Sequence, residues 1–128
     1  MDNREYWIEI AEYDLETAKA MLDSGRYLYV GFMCHQSIEK ILKAIFVTNK
    51  NEMPPRIHNL ARLLKMIELQ EEISLEYLEL IHELNPLNIA SRYPDQEFEI
   101  LKDLNHSYSE KLLERTGRLF QWLKTKVL

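Results

Sequence analysis

The chain has 128 residues, 46% apolar and 29% charged, with only three Gly and four Pro, a composition that excludes disorder and suits one ordinary globular core. Its longest stretch without Asp, Glu, Lys or Arg is the twelve residues Tyr27 to Ile38, well short of the roughly eighteen apolar residues that a membrane-spanning helix needs. Sixteen basic and twenty-one acidic residues give a net charge of −5, so the molecule as a whole repels a phosphate backbone and binding of nucleic acid would require a local basic site.

Along the chain, Met1-Asp2-Asn3-Arg4-Glu5 places acids where a secretory leader would be basic, and a cytoplasmic location is expected. From Arg4 to Ser24, Trp7, Ala11, Leu15, Ala18 and Leu22 recur at helical spacing, and Gly25 stands where a left-handed cap would close the helix. The second segment, Tyr27 to about Asn49, gathers Cys34, Ile38, Ile41, Leu42 and Ile45 on one arc and Gln36, Glu39, Lys40 and Lys43 on the opposite one. Cys34 is the sole cysteine, so no intrachain disulfide can form, and its place on the apolar arc predicts a buried, inert thiol.

Met53-Pro54-Pro55 breaks the helical pattern. Leu60, Leu63, Leu64 and Ile67 predict a shorter helix ending near Gln70, and another runs from Ser74, an N-cap candidate, through Leu78 and Ile81 to Leu84, where Pro86 stops it. Asn85 to about Glu97 reads as an ordered loop. Leu112, Leu113, Leu119, Phe120 and Leu123 restore helical spacing in a last segment starting near Asn105. The expected architecture is all-α, a single domain over residues 1–128, with about five helices in an antiparallel up-and-down bundle.

Four short motifs, in order, carry a resemblance. Phe32 followed by Gln36, Glu39-Lys40 and Lys43-Ala44 is one; Trp7, Ala11, Asp14-Leu15 and Ala18 in the first segment is another. His58-Asn59-Leu60 and Arg92-Tyr93-Pro94 are the third and fourth. Together they resemble the HEPN family, the higher eukaryotes and prokaryotes nucleotide-binding domain. The resemblance spans nearly the whole chain and implies a helical, often dimeric bundle. It also implies one of several activities: a nucleotide-binding module, a partner of a small nucleotidyltransferase in a two-gene toxin-antitoxin pair, or a metal-independent RNA endonuclease. Fold does not choose among these.

The endonuclease branch is recognised by an Arg, an adjacent polar residue, and a His four to six residues beyond the Arg; no Arg of this chain has a His at that spacing. Whether the chain is an enzyme is therefore open, with Arg92 stabilising phosphorane-like charge and His58 as acid-base group in the catalytic alternative.

The binding reading places a ligand on Gln36, Glu39, Lys40, Lys43 and Arg92, supported by Asp14 and Tyr93, with the lysines on phosphate and Gln36 and Glu39 on a base or ribose. The competing reading is a solvated helix face in which Glu39 and Lys43 form an i,i+4 pair. Under the binding reading, substituting Lys40 and Lys43 together abolishes ligand binding and leaves the fold intact. Asp14 projects into the apolar stripe of its helix and needs a partner, with Lys40, Lys43 and Arg92 as candidates. Arg92 either grips phosphate or satisfies helix C-terminal carbonyls, and His58 either caps the third helix or packs beneath Met53-Pro54-Pro55. His35 with Glu39, and His106 with Glu110, have the spacing of a helical metal pair, but two ligands make no site; neither a metal nor another cofactor is expected. A third possibility is a non-catalytic protein whose dimer surface is its whole function.

Overall fold

The computed structural model describes residues 3–90, 102 and 104–127. Their helices are α1 (Asn3–Asp23), α2 (Tyr27–Lys50), α3 (Leu60–Met66), α4 (Leu75–Leu84), the single turn α5 (Leu87–Ala90) and α6 (His106–Thr125). Five helices and one turn, with no strand among the described residues, make the all-α class that the periodicity predicts.

The caps follow local chemistry. After α1, Gly25 adopts φ +75°, Arg26 N–H donates to the Met21 carbonyl and Gly25 N–H to that of Leu22, which together form a Schellman closure. Asn51, also left-handed, closes α2. Asn59, Ser74 and Asn105 accept from backbone N–H groups at the starts of α3, α4 and α6. It is Asn59, rather than His58, that caps α3.

Two boundaries differ from expectation. α3 ends at Met66 instead of near Gln70, because Glu68 takes a left-handed φ of 61° and Leu69 N–H reaches back to the Leu64 carbonyl, a Schellman-type closure without glycine. The expected loop after Asn85 begins instead with α5: Pro86 both stops α4 and accepts from Ile89 N–H as the new turn starts.

α2 is the axis of the molecule. It packs against each of the other five segments, and the cluster from Val30 to Phe46 is closed by Ala11 and Ala18 of α1, Leu60 and Leu63 of α3, Ile81 of α4, and Leu119 and Phe120 of α6. The Asp14–Lys40 and Trp7–Lys43 contacts set α1 antiparallel to α2. Glu12–Lys124, with Leu15 and Lys19 beside Leu113 and Gly117, sets α6 antiparallel to α1, and Glu83–Arg115 with Tyr77–Trp122 sets it antiparallel to α4. This is an up-and-down order with α6 running in the sense of α2. Gly31 is where α5 meets α2, since a Cβ there would lie 2.9 Å from Leu87 Cδ1. No helix among the described residues is long and apolar enough to cross a membrane.

Candidate functional site

α2 is packed against every other described helix, and on its polar arc Glu39 and Lys43 are buried while Gln36 and Lys40 are partly exposed. Glu39 is 2% exposed and Lys43 5%. Burying either charge alone would cost several kcal/mol, and the arrangement offsets this by pairing. Lys43 Nζ donates to Glu39 Oε2 at 3.1 Å and lies 5.7 Å from the centre of the Trp7 ring. The other carboxylate oxygen, Oε1, lies 2.9 Å from His58 Nδ1. A carboxylate only accepts, so Nδ1 carries the proton, and both oxygens of Glu39 are used.

His35, one turn before Glu39, is fully buried. Its Nε2 donates to the His58 carbonyl at 2.9 Å, which leaves Nδ1 to accept from the Gln36 amide at 3.3 Å. Burial pushes the imidazole down from 6.5 to about 4, against the pull of Glu39, so this ring is neutral at physiological pH. Gln36 also donates to Asn88 Oδ1 and accepts from Lys40, whose ammonium reaches Asp14 at 3.2 Å. The two networks thus run from α1 through α2 to His58, ahead of the α3 cap, and to α5, fixing ring orientation and helix register together. Asp14 finds its partner in Lys40.

The surface end of this construction is His58. Its side chain is half exposed, its Nδ1 is held by Glu39, and Nε2 has no protein partner among the described residues. Beside it opens a cleft of about 360 Å³ lined by His58, Asn59, Asn85, Pro86, Asn88 and Ile89, between the start of α3 and the α4–α5 junction. Asn59 Oδ1 accepts from Arg62 N–H and from Asn85 Nδ2, while Asn85 Oδ1 accepts from Leu60 N–H at 2.8 Å. The cleft is therefore polar and half apolar at once, with walls anchored by backbone hydrogen bonds.

Of the residues singled out from sequence, Asp14, Gln36, Glu39, Lys40, Lys43 and His58 are brought into these two networks. Arg92 and Tyr93 lie outside the described residues. The sequence does not single out the asparagines of the cleft, although Asn59 belongs to the His-Asn-Leu motif; Asn88 gives no sequence signal. Cys34 is fully buried beside Thr116, and desolvation pushes its thiol up to about 12. Among the described residues no group of three or more His, Cys, Asp and Glu could hold a metal ion.

Comparison with known proteins bears on the whole chain. A family model described as HEPN domain matches residues 4–126. The fold is similar to the crystal structure of TT1696 from Thermus thermophilus, with a TM-score of 0.81, 20% identity, and 98% of this chain covering 99% of that one. It is also similar to ST0689, an archaeal HEPN homologue, with a TM-score of 0.75, 24% identity and both chains covered in full. At these identities the likeness speaks for the fold alone. A search of curated proteins returned no match.

Proposed function

From the premise that the chain belongs to the HEPN domain family, we propose that it is a cytoplasmic, single-domain binding module taking a nucleotide or an RNA-derived ligand in the cleft beside His58. The observation that carries the reading is a small cleft combining a half-exposed imidazole, asparagine amides and the apolar Pro86 and Ile89, which is the mixture of few placed polar groups and apolar wall that small ligands use. Gln36, Glu39, Lys40 and Lys43 act from behind, with Asp14, by holding His58 and Asn88 in place; Arg92 completes the assignment as a phosphate-binding residue, with Tyr93 in support. The module works as a homodimer with a separate nucleotidyltransferase-like protein in a two-gene, toxin-antitoxin-like system.

Thermal unfolding with a nucleotide panel at millimolar concentration tests this. A ligand at a hundred times its Kd stabilises by about 2.7 kcal/mol, a shift of several degrees for a domain of this size. The expected result is a selective shift that His58→Ala removes; no shift with any nucleotide refutes the binding reading. Co-purification with a co-expressed nucleotidyltransferase-like protein tests the partnership.

One observation favours a second reading. A carboxylate holding Nδ1 of a half-exposed His is how acid-base imidazoles are oriented, so Glu39–His58 would suit a metal-independent RNA endonuclease with Arg92 as the charge-stabilising group. That reading requires RNA cleavage in EDTA, lost in His58→Ala and Arg92→Ala.

A further inference from the structure

The backbone fixes which way the cleft's amides point. Asn59 Oδ1 is occupied by Arg62 N–H and Asn85 Oδ1 by Leu60 N–H, both backbone donors that an amide nitrogen could not satisfy. Each side-chain oxygen is thus committed to the start of α3, and what remains for a ligand is nitrogen. Asn59 Nδ2 has no partner among the described residues, and Asn85 Nδ2 spends one of its two hydrogens on Asn59 Oδ1. His58 adds the opposite polarity: with its one proton on Nδ1 and donated to Glu39, the ring presents Nε2 as an acceptor. Asn59, Asn85 and His58 therefore offer two amide donors and one imidazole acceptor, beside the apolar Pro86 and Ile89 and beside Asn88, whose oxygen Gln36 holds.

We propose that this cleft selects the imide edge of uracil, so that the ligand is a uridine nucleotide or a uridine in RNA. Uracil presents two carbonyl acceptors flanking one N–H donor, which matches two donors and one acceptor group for group. Cytosine replaces one carbonyl by an amino donor and the N–H by a bare acceptor, leaving two of the three contacts mismatched. Adenine likewise brings an amino donor toward amides whose oxygens are already taken. Guanine matches at its carbonyl and N–H but sets an amino donor against the second amide. His58 and Asn59 are exposed in the empty cleft, so a mismatched base that covers them leaves polar groups unpaired which water satisfied before, and that is the source of the discrimination. Pro86 and Ile89 supply a surface for the pyrimidine face, and the cavity is of a size for one nucleotide.

The proposal rests on the cleft being the nucleotide site, and the test separates the two. Calorimetric titration of the full chain at pH 8 with UMP, CMP, AMP, GMP and dTMP is expected to show UMP at least ~10-fold tighter than CMP, AMP and GMP. Because dTMP carries the same imide edge, its affinity distinguishes recognition of the edge alone from recognition of the ribonucleotide. Asn59→Asp keeps an oxygen for Arg62 N–H and caps a helix as well as Asn does, so the fold is retained while the outward donor becomes an acceptor. In that variant UMP is expected to weaken by ~10-fold or more, with CMP not weakened. If CMP, AMP or GMP binds the native protein as tightly as UMP, or Asn59→Asp leaves UMP unchanged, the selection is overturned while the nucleotide site stands. If no nucleotide binds, both fall.

Discussion

Replacing Lys43 with methionine, an unbranched side chain one atom shorter that removes the charge, tests the central electrostatic claim. Lys43 is 5% exposed, and its ammonium is 3.1 Å from a Glu39 carboxylate that is itself 2% exposed. Breaking a buried pair from one side costs about 3–5 kcal/mol, most of it the penalty of the charge left behind. Here His58 Nδ1 still donates to Glu39, which puts the expected loss near the lower end, at about 3 kcal/mol. For a domain of this size that corresponds to a fall in Tm of roughly 10 °C. Urea unfolding followed by helical circular dichroism reads the change directly, with the m-value as a check that the transition stays two-state. Adding Glu39→Gln to Lys43→Met should recover part of the loss, a coupling of at least ~1 kcal/mol in the double-mutant cycle. A Lys43→Met protein within ~0.5 kcal/mol of the native one, or a strictly additive cycle, would refute the reasoning. The same burial bears against the expectation that Lys40 and Lys43 can be exchanged together without touching the fold, and His58 is itself tied to the buried Glu39; Asn59→Asp, which keeps the α3 cap, is the substitution that tests the proposed binding apart from stability.

Two further predictions follow from groups that burial has shifted. His35 sits at about 4 in the folded chain against 6.5 ordinarily, so between these values the unfolded state binds more protons and stability falls as pH drops through 6.5 toward 4. The total is on the order of 3 kcal/mol, visible in urea midpoints taken from pH 7.5 to 4.5, and His35→Gln should flatten that limb; an unchanged slope in the variant would assign it elsewhere. Cys34, raised from 9.0 to about 12, keeps its proton in the folded state while the unfolded chain loses it, so stability should decline as pH rises above 9. At pH 8 a thiol reagent should label the native protein at least ~100-fold more slowly than the urea-unfolded one, and equal rates would contradict the burial.

The second helix shows best how far the sequence reaches. Periodicity places Cys34, Ile38, Ile41 and Ile45 inside and yields an all-α bundle, and residue type sets the caps at Gly25 and Ser74, because these are local consequences of spacing and of residues that suit helix ends. The motifs spread from Trp7 to Arg92 identify the family for the same reason: they are written in order along one chain. What periodicity treats as the outer arc of that helix is inside as well. Glu39 and Lys43 read as a solvated pair in one dimension, since nothing in a single helix tells that α1 and His58 will close over it. The end of α3 at Met66 was likewise invisible, as a left-handed Glu68 carries no signature of the kind glycine gives. The site belongs wholly to tertiary structure. His58 is presented by Glu39 from 19 residues away, and the amide of Asn59 is turned outward by Arg62 N–H together with Asn85, 26 residues on, whose own oxygen is held by Leu60 N–H. Composition and spacing determine which helices form and which residues they bury first; only packing decides which of the remaining polar groups are left facing a cleft, because that depends on which of their hydrogen bonds the rest of the fold has already taken.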